Sequence, residues 1–218
     1  MKTKRFLLAA GIVLAMAFTF SCSDGEDDSG SNGGGYTGPY EQPVTVGGKE
    51  YKTVKIGNQT WMAENLNYDP GTGNSACYGN QPSNCASYGR LYDWPTAMAA
   101  CPSGWHLPSD ADWDNLITVA GGEETAGAKL KSTSGWNGHG GYNGTNDYGF
   151  SALPSGSGLS DGSFAYVGGE SVWWSASEYD SDQAYIRFIY DDKEYAKKAN
   201  EHKSILHSVR CLKGGSSN

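Results

Sequence analysis

Basic residues are scarce in this chain. Lys and Arg number 16 against 24 Asp and Glu, a formal net charge of −8. Nucleic-acid binding needs a basic stripe to neutralise phosphates, so nucleic acid is not an expected partner. The same deficit disfavours docking on anionic lipid by charge. Histidine is sparse too: His106, His139, His202 and His207 are scattered, and none has a metal-ligand partner at i+3 or i+4. With no C-x-x-C either, a zinc site is not expected. There are no heptads, no internal repeat and no second long apolar run, so coiled coils, solenoids and bundles of several membrane-spanning helices are not expected. Glycine and aromatics fill the gap. Gly 31 and 12% aromatics predict many tight turns, few long helices and a core built from Trp and Tyr.

The first 21 residues read as a leader. Lys2, Lys4 and Arg5 precede an apolar run from Phe6 to Phe20, shorter than the ~20 residues a spanning helix needs. Ser21-Cys22 then resembles a bacterial lipobox. The expectation is a lipoprotein signal peptide over 1–21, with Cys22 as the lipidated residue and the membrane reached through that anchor. An ordinary secretory signal cut nearby and an uncut anchor are the alternatives. Losing the leader removes three basic residues and no acidic ones, so the remainder is more acidic still. Residues 22–43 read as an acidic, Gly/Ser-rich tether that cannot bury a core. Its run Asp24, Glu26, Asp27, Asp28 resembles tags that place some Gram-negative lipoproteins on the cell surface; a solvated tether is the plainer reading. The expected location is the cell envelope, as a surface-exposed outer-membrane lipoprotein.

The domain is expected over 44–213, with a disordered tail at 214–218. Its organising stretch is Cys101 to Ile117. Pro102-Ser103-Gly104 makes a turn, and Ser109 with Asp112 has capping-box spacing. Trp113, Leu116 and Ile117 then share a helical face. Further helices are expected at Trp94–Ala100, capped by Asp93, and at 123–131, weakened by Gly127. The hairpin Lys49–Ile56 with Gln59–Met62 comes first, then a long irregular loop over 69–87. Later strands are expected near 150–153, 164–167, 172–176, 184–190, 193–199 and 204–212. The predicted class is α+β: small twisted antiparallel sheets, two or three short helices and long Gly-rich loops.

Besides Cys22 there are four cysteines, an even number in a chain read as exported. Cys77 and Cys85 share one loop and are expected to pair. That leaves Cys101 with Cys211, a bridge from the turn before the capped helix to the last strand.

Five motifs in order carry a family resemblance. They are Trp61-Met62-Ala63-Glu64-Asn65-Leu66-Asn67, the string from Tyr88 through Trp113, Asp147 to Gly156, Trp174-Ser175-Ala176-Ser177 and Ser208 to Lys213. Together they resemble the Fibrobacter succinogenes major paralogous domain over roughly 44–213. The resemblance implies exported, often lipid-anchored bacterial proteins without a settled biochemical role. More distantly, Gly104 to Trp113 is similar to the R-L-P-T-E-A-E-W stretch of sulfatase-modifying, formylglycine-generating proteins. That likeness implies a C-type-lectin-like fold. Those enzymes use reactive cysteines and copper. Cys211 is the only Cys near the C-terminal strand and is better placed in a disulfide, so no catalytic role is carried over.

No catalytic residue and no cofactor is therefore expected. Calcium is the metal left open, through the oxygens of Asn143 to Asp147, although a turn held by its own side chains is the favoured account of them. The tripeptides Gln81-Pro82-Ser83 and Trp136-Asn137-Gly138 lack the acidic residue of lectin calcium sites. For binding, the candidates are Trp136, Tyr142 and Trp173, as flat faces for stacking sugars; burial of the Trp residues in the core is the alternative. Trp174 is expected inside, which in a strand would turn Trp173 outward. The leading expectation is a non-enzymatic binding domain for extracellular carbohydrate or a protein partner. A structural role in an envelope complex comes second, and a formylglycine-generating-type enzyme third.

Overall fold

A computed structural model describes residues 40–137 and 142–214. The leader, Cys22, residues 22–39 of the tether, His139 and residues 215–218 lie outside the described residues. Strand β1 (Tyr40–Val46) begins the described chain, so the last residues assigned to the tether belong to a sheet. Gly47 and Gly48, both at positive φ, turn it into β2 (Lys49–Ile56). Gly57-Asn58 then turns into β3 (Gln59–Met62), the expected hairpin.

The stretch read as one irregular loop holds more order than expected. It contains β4 (Ser75–Ala76), a 3-10 turn at Tyr78–Asn80 and helix α1 (Pro82–Tyr88). Pro82 starts α1 because its fixed φ suits the first turn, where its missing N–H costs nothing. Next come β5 (Leu91–Tyr92), α2 (Trp94–Ala100) and β6 (Trp105–His106). Asp93 caps α2 by accepting from Thr96 N at 3.0 Å.

Helix α3 (Asp110–Val119) carries the predicted capping box. The Ser109 hydroxyl accepts from Asp112 N, and the Asp112 carboxylate accepts from Ser109 N at 2.9 Å. Helix α4 (Glu123–Leu130) follows. Gly127 in its middle is required rather than merely tolerated. A Cβ there would lie 2.2 Å from the Tyr195 carbonyl oxygen, because the chain at 194–195 crosses the helix directly.

The remaining strands are β7 (Ser157–Gly158), β8 (Phe164–Ala165), β9 (Glu170–Glu178), β10 (Gln183–Tyr190), β11 (Lys197–His202), β12 (His207–Ser208) and β13 (Leu212–Lys213). Near 150–153 only one bridge forms, between Lys131 and Ala152. The strand expected over 204–212 is cut in two. Its first part joins β9 and β5, and its second joins β3 and β6.

The architecture is α+β with four α-helices among the described residues, one more than the upper expectation. One sheet runs β1-β2-β3-β13-β6, a second β11-β10-β9-β12-β5-β4, and β7-β8 form a small hairpin. Pairing between the strands is antiparallel except between β12 and β9, where Ser208 lies parallel to Trp173; the isolated Lys131–Ala152 bridge is parallel as well. The Ser208–Leu212 segment thus passes from one sheet to the other through the interior, and Val209, Arg210 and Cys211 are buried.

Both expected cysteine pairs form. Cys77 bonds Cys85 with Cα atoms 4.9 Å apart, and Cys101 bonds Cys211 at 5.8 Å. The main core gathers Trp61, Trp113, Phe150 and Trp173, with Trp61 and Trp113 ring centroids 4.8 Å apart. Within the motifs, Asn65 fixes this centre. Its Oδ1 accepts from Trp173 Nε1 at 2.9 Å and from Arg210 Nη2 at 2.7 Å. Gly89 lets the next motif close over it, since a Cβ there would meet Asn65 Cβ at 2.6 Å.

Candidate functional site

The aromatic residues singled out from sequence do not form a surface. Trp136 is 6% exposed, and its Nε1 donates to Ala152 O at 3.0 Å and Ser132 Oγ at 3.1 Å. Trp173 is 1% exposed and sits in the main core. The expectation that Trp173 turns outward fails for a physical reason. Adjacent strand residues do face opposite ways, but β9 is covered on both faces, so Trp173 and Trp174 enter two different cores. Tyr142 is 61% exposed, while the two Trp residues are buried, so the three share no stacking face.

The loop considered for calcium is held by its own bonds. Asn146 Oδ1 accepts from Ser151 N at 2.8 Å, Gly144 N donates to Ser132 O, and Thr145 N donates to Ala128 O. Among the described residues, no group of three His, Cys, Asp or Glu is placed to hold a metal ion.

The acidic residues of the organising stretch are also occupied. Asp110 and Asp114 hold the buried guanidinium of Arg187 on β10, Asp110 at 2.8 Å. His106 faces Asp112 at 3.5 Å and donates from Nδ1 to Gly214 O at 2.9 Å. The segment Gly158-Leu159-Ser160-Asp161-Gly162 spells G-x-S-x-G. It forms the exposed turn between β7 and β8, not the strand-to-helix elbow that nucleophile chemistry requires.

A different place concentrates chemistry. Ile186, Phe188 and Tyr190 alternate along β10 and share one face, while Arg187 points to α3. Helix α2 packs on the far end of β9, where Trp94 Nε1 donates to Ser175 O at 2.8 Å. The near end is left open as a cleft of about 620 Å³. Val172, Ile186, Phe188 and Ala199 contribute apolar surface, and Tyr166 and Tyr190 add ring faces. Ser157, His207, Glu170, Asn200 and Glu201 add polar groups, and Asp191 and Asp192 lie at the strand end. No Lys or Arg is among the lining residues.

Tyr166 is 64% exposed and adopts φ 69°. For a bulky side chain that conformation costs about 1–3 kcal/mol, which the fold must offset. The turn it makes returns two bonds, as Gly169 N and Glu170 N both donate to Tyr166 O. It thereby delivers Glu170 to the cleft.

A polar chain crosses the cleft wall. Ser157 Oγ donates to Glu170 Oε1 at 3.0 Å and lies 3.1 Å from His207 Nδ1. The serine has one proton and gives it to the carboxylate, so Nδ1 must carry the histidine proton. Nε2 is then an acceptor, and it is buried with no partner among the described residues. Burial holds the imidazole neutral, with its pKa lowered to about 3. Burial raises the pKa of Glu170; the Ser157 bond opposes this, and the nearby Glu201 adds to it. In a serine hydrolase the hydroxyl would bond Nε2 and the carboxylate Nδ1. Here one hydroxyl bridges both groups, so the set orients His207 and does not activate Ser157.

Sequence reading missed Tyr166, Glu170 and His207. The only legible signal was the alternation Ile186, Phe188, Tyr190, since the cleft joins segments far apart in the chain.

A family model for the Fibrobacter succinogenes major domain matches residues 54–213. No curated protein matches the chain, and no solved structure matches it. The match spans most of the sequence and every motif quoted for the resemblance, and so the chain belongs to the Fibrobacter succinogenes major domain family.

Proposed function

We propose that this is an exported, lipid-anchored cell-envelope protein whose domain binds extracellular carbohydrate without catalysis. The observation that carries the reading is the cleft beside β10, where the rings of Tyr166, Phe188 and Tyr190 lie among carboxylates and Asn200. Ring faces with a few fixed polar groups suit sugars, whose C–H faces stack and whose hydroxyls need acceptors. A C-type-lectin-like relation for the fold belongs to the same proposal. It is supported by mixed sheets with long connections and by a disulfide from the end of α2 to the final strand segment. The anchor at Cys22 and surface display at the outer membrane rest on the leader and the acidic tether. Pairing of Cys101 with Cys211 removes thiols that a formylglycine-generating-type oxidase would use, which supports the non-enzymatic reading.

The test is pull-down on insoluble polysaccharides together with calorimetric titration of soluble oligosaccharides. Binding should fall at least ~10-fold in Tyr190→Ala and in Phe188→Ala, about 1.4 kcal/mol each. Absence of binding to any polysaccharide or oligosaccharide would reject the carbohydrate reading.

A further inference from the structure

The cleft also indicates which kind of sugar it takes, an inference that rests on the carbohydrate reading above. Its charged lining groups are of one sign: Glu170, Asp191, Asp192 and Glu201, with no Lys or Arg among them. Asp192 is matched at the edge by Lys193 at 2.7 Å. None of Glu170, Asp191 and Glu201 forms an ion pair among the described residues. Among nearby cations, Lys131 is buried behind the strand end with its Nζ on the carbonyl oxygens of Asp191 and Lys193, and the others pair outside the cleft: Lys197 with Glu124 at 3.0 Å, Lys198 with Asp110 at 2.8 Å and Lys203 with Glu178 at 2.8 Å.

A second, independent observation points the same way. His207 lines the cleft, is 3% exposed, and has an Nε2 acceptor with no partner. Leaving a buried polar atom unsatisfied costs about 1–3 kcal/mol, so the wall is short of a donor. The ionised carboxylates are acceptors as well. A ligand that fits must therefore bring donors and positive charge. An anionic sugar would be repelled, and a neutral one would gain nothing from the charge of the cleft. A protonated amine supplies three N–H donors and a cation, and the ring faces of Tyr190 and Phe188 attract cations in their own right.

We propose that the cleft binds an amine-bearing sugar, with Glu170 as the counter-charge to its ammonium and His207 Nε2 accepting from one of its donors. Ser157 is the positioning residue. It holds Glu170 and sets the tautomer that leaves Nε2 free to accept.

The experiment is calorimetric titration of the whole protein with glucosamine oligomers, their N-acetylated counterparts and neutral glucose oligomers of equal length. Glucosamine oligomers should bind at least ~10-fold more tightly than either, and the preference should shrink as salt is added. Glu170→Gln keeps an oxygen to accept from Ser157 and should cut the preference for glucosamine oligomers to below ~3-fold. Thermal unfolding of the variant checks that it is folded. Equal affinity for all three oligomers would overturn the inference and leave the carbohydrate reading standing. Binding of none would overturn both. A preference that survives in Glu170→Gln would place the amine elsewhere and overturn the assignment.

Discussion

Arg210 donates to a single oxygen of Asn65 through two atoms, Nε at 3.1 Å and Nη2 at 2.7 Å. The guanidinium is fully buried and has no carboxylate partner among the described residues. Its other support is the Phe150 carbonyl, with the Phe150 ring 4.2 Å from its centre. Asn65 Nδ2 in turn donates to Tyr88 O at 2.9 Å. Three of the family-like motifs therefore meet at this amide.

Asn65→Ala should consequently be among the most damaging single changes. It orphans Arg210 Nε, Arg210 Nη2 and Trp173 Nε1 in the core. We expect a loss of at least about 3 kcal/mol, read as a lower urea midpoint at unchanged slope. A loss under about 1 kcal/mol would show that water or rearrangement satisfies those donors.

The two disulfides should contribute unequally. Cys101–Cys211 spans 110 residues and Cys77–Cys85 spans 8. Loop-closure entropy predicts about 4–5 kcal/mol for the long bridge and about 2–3 kcal/mol for the short one. Denaturant titration of Cys101→Ser/Cys211→Ser and Cys77→Ser/Cys85→Ser double variants would show the order. The reverse order would mean that native packing, not chain entropy, sets their worth.

Acid should destabilise the domain through His207. Its folded pKa is lowered to about 3 from an ordinary value of 6.5. Between those values the unfolded chain holds a proton that the folded one excludes. Stability therefore rises with pH across this window and is lost as pH falls through it, with up to about one extra proton bound on unfolding. Glu170 opposes the trend, because its raised pKa lets the folded state take up a proton first. Unfolding curves of His207→Asn should show a flatter acid limb than the parent; an identical slope would count against the buried neutral imidazole.

Lys131 should hold the strand end that carries Asp191 and Asp192. The residue is buried, and its Nζ donates to Lys193 O at 2.7 Å and Asp191 O at 2.9 Å. Lys131→Met keeps the apolar stem but frees those carbonyls. We expect a loss of about 1–3 kcal/mol, with faster amide exchange around 191–193. Unchanged exchange there would remove Lys131 as the clamp.

The sequence was informative where causes are local. Ser109 with Asp112, Asp93 before Trp94, and the Gly57-Asn58 turn each act within a few residues, and their helices and hairpin formed as read. Cys77 with Cys85 was also local, and Cys101 with Cys211 followed as the remaining pair. Gly127 illustrates the opposite case. Propensity marks it as a weak helix residue, but its presence answers to the chain at Tyr195 passing over it.

Binding residues were the least legible. Chemistry of type alone favoured Trp136, Tyr142 and Trp173, and type does not say which face of a sheet is covered. The sequence by itself determined the family, the capped helices, the early hairpin and the cysteine pairs, because repeated local patterns and pairing arithmetic carry them. Only the tertiary structure decided that Trp173 lies inside and that Ser157, Glu170, Tyr190 and His207 share one cleft. Those residues come from separate strands, and only the way the sheet is covered leaves that end of it open.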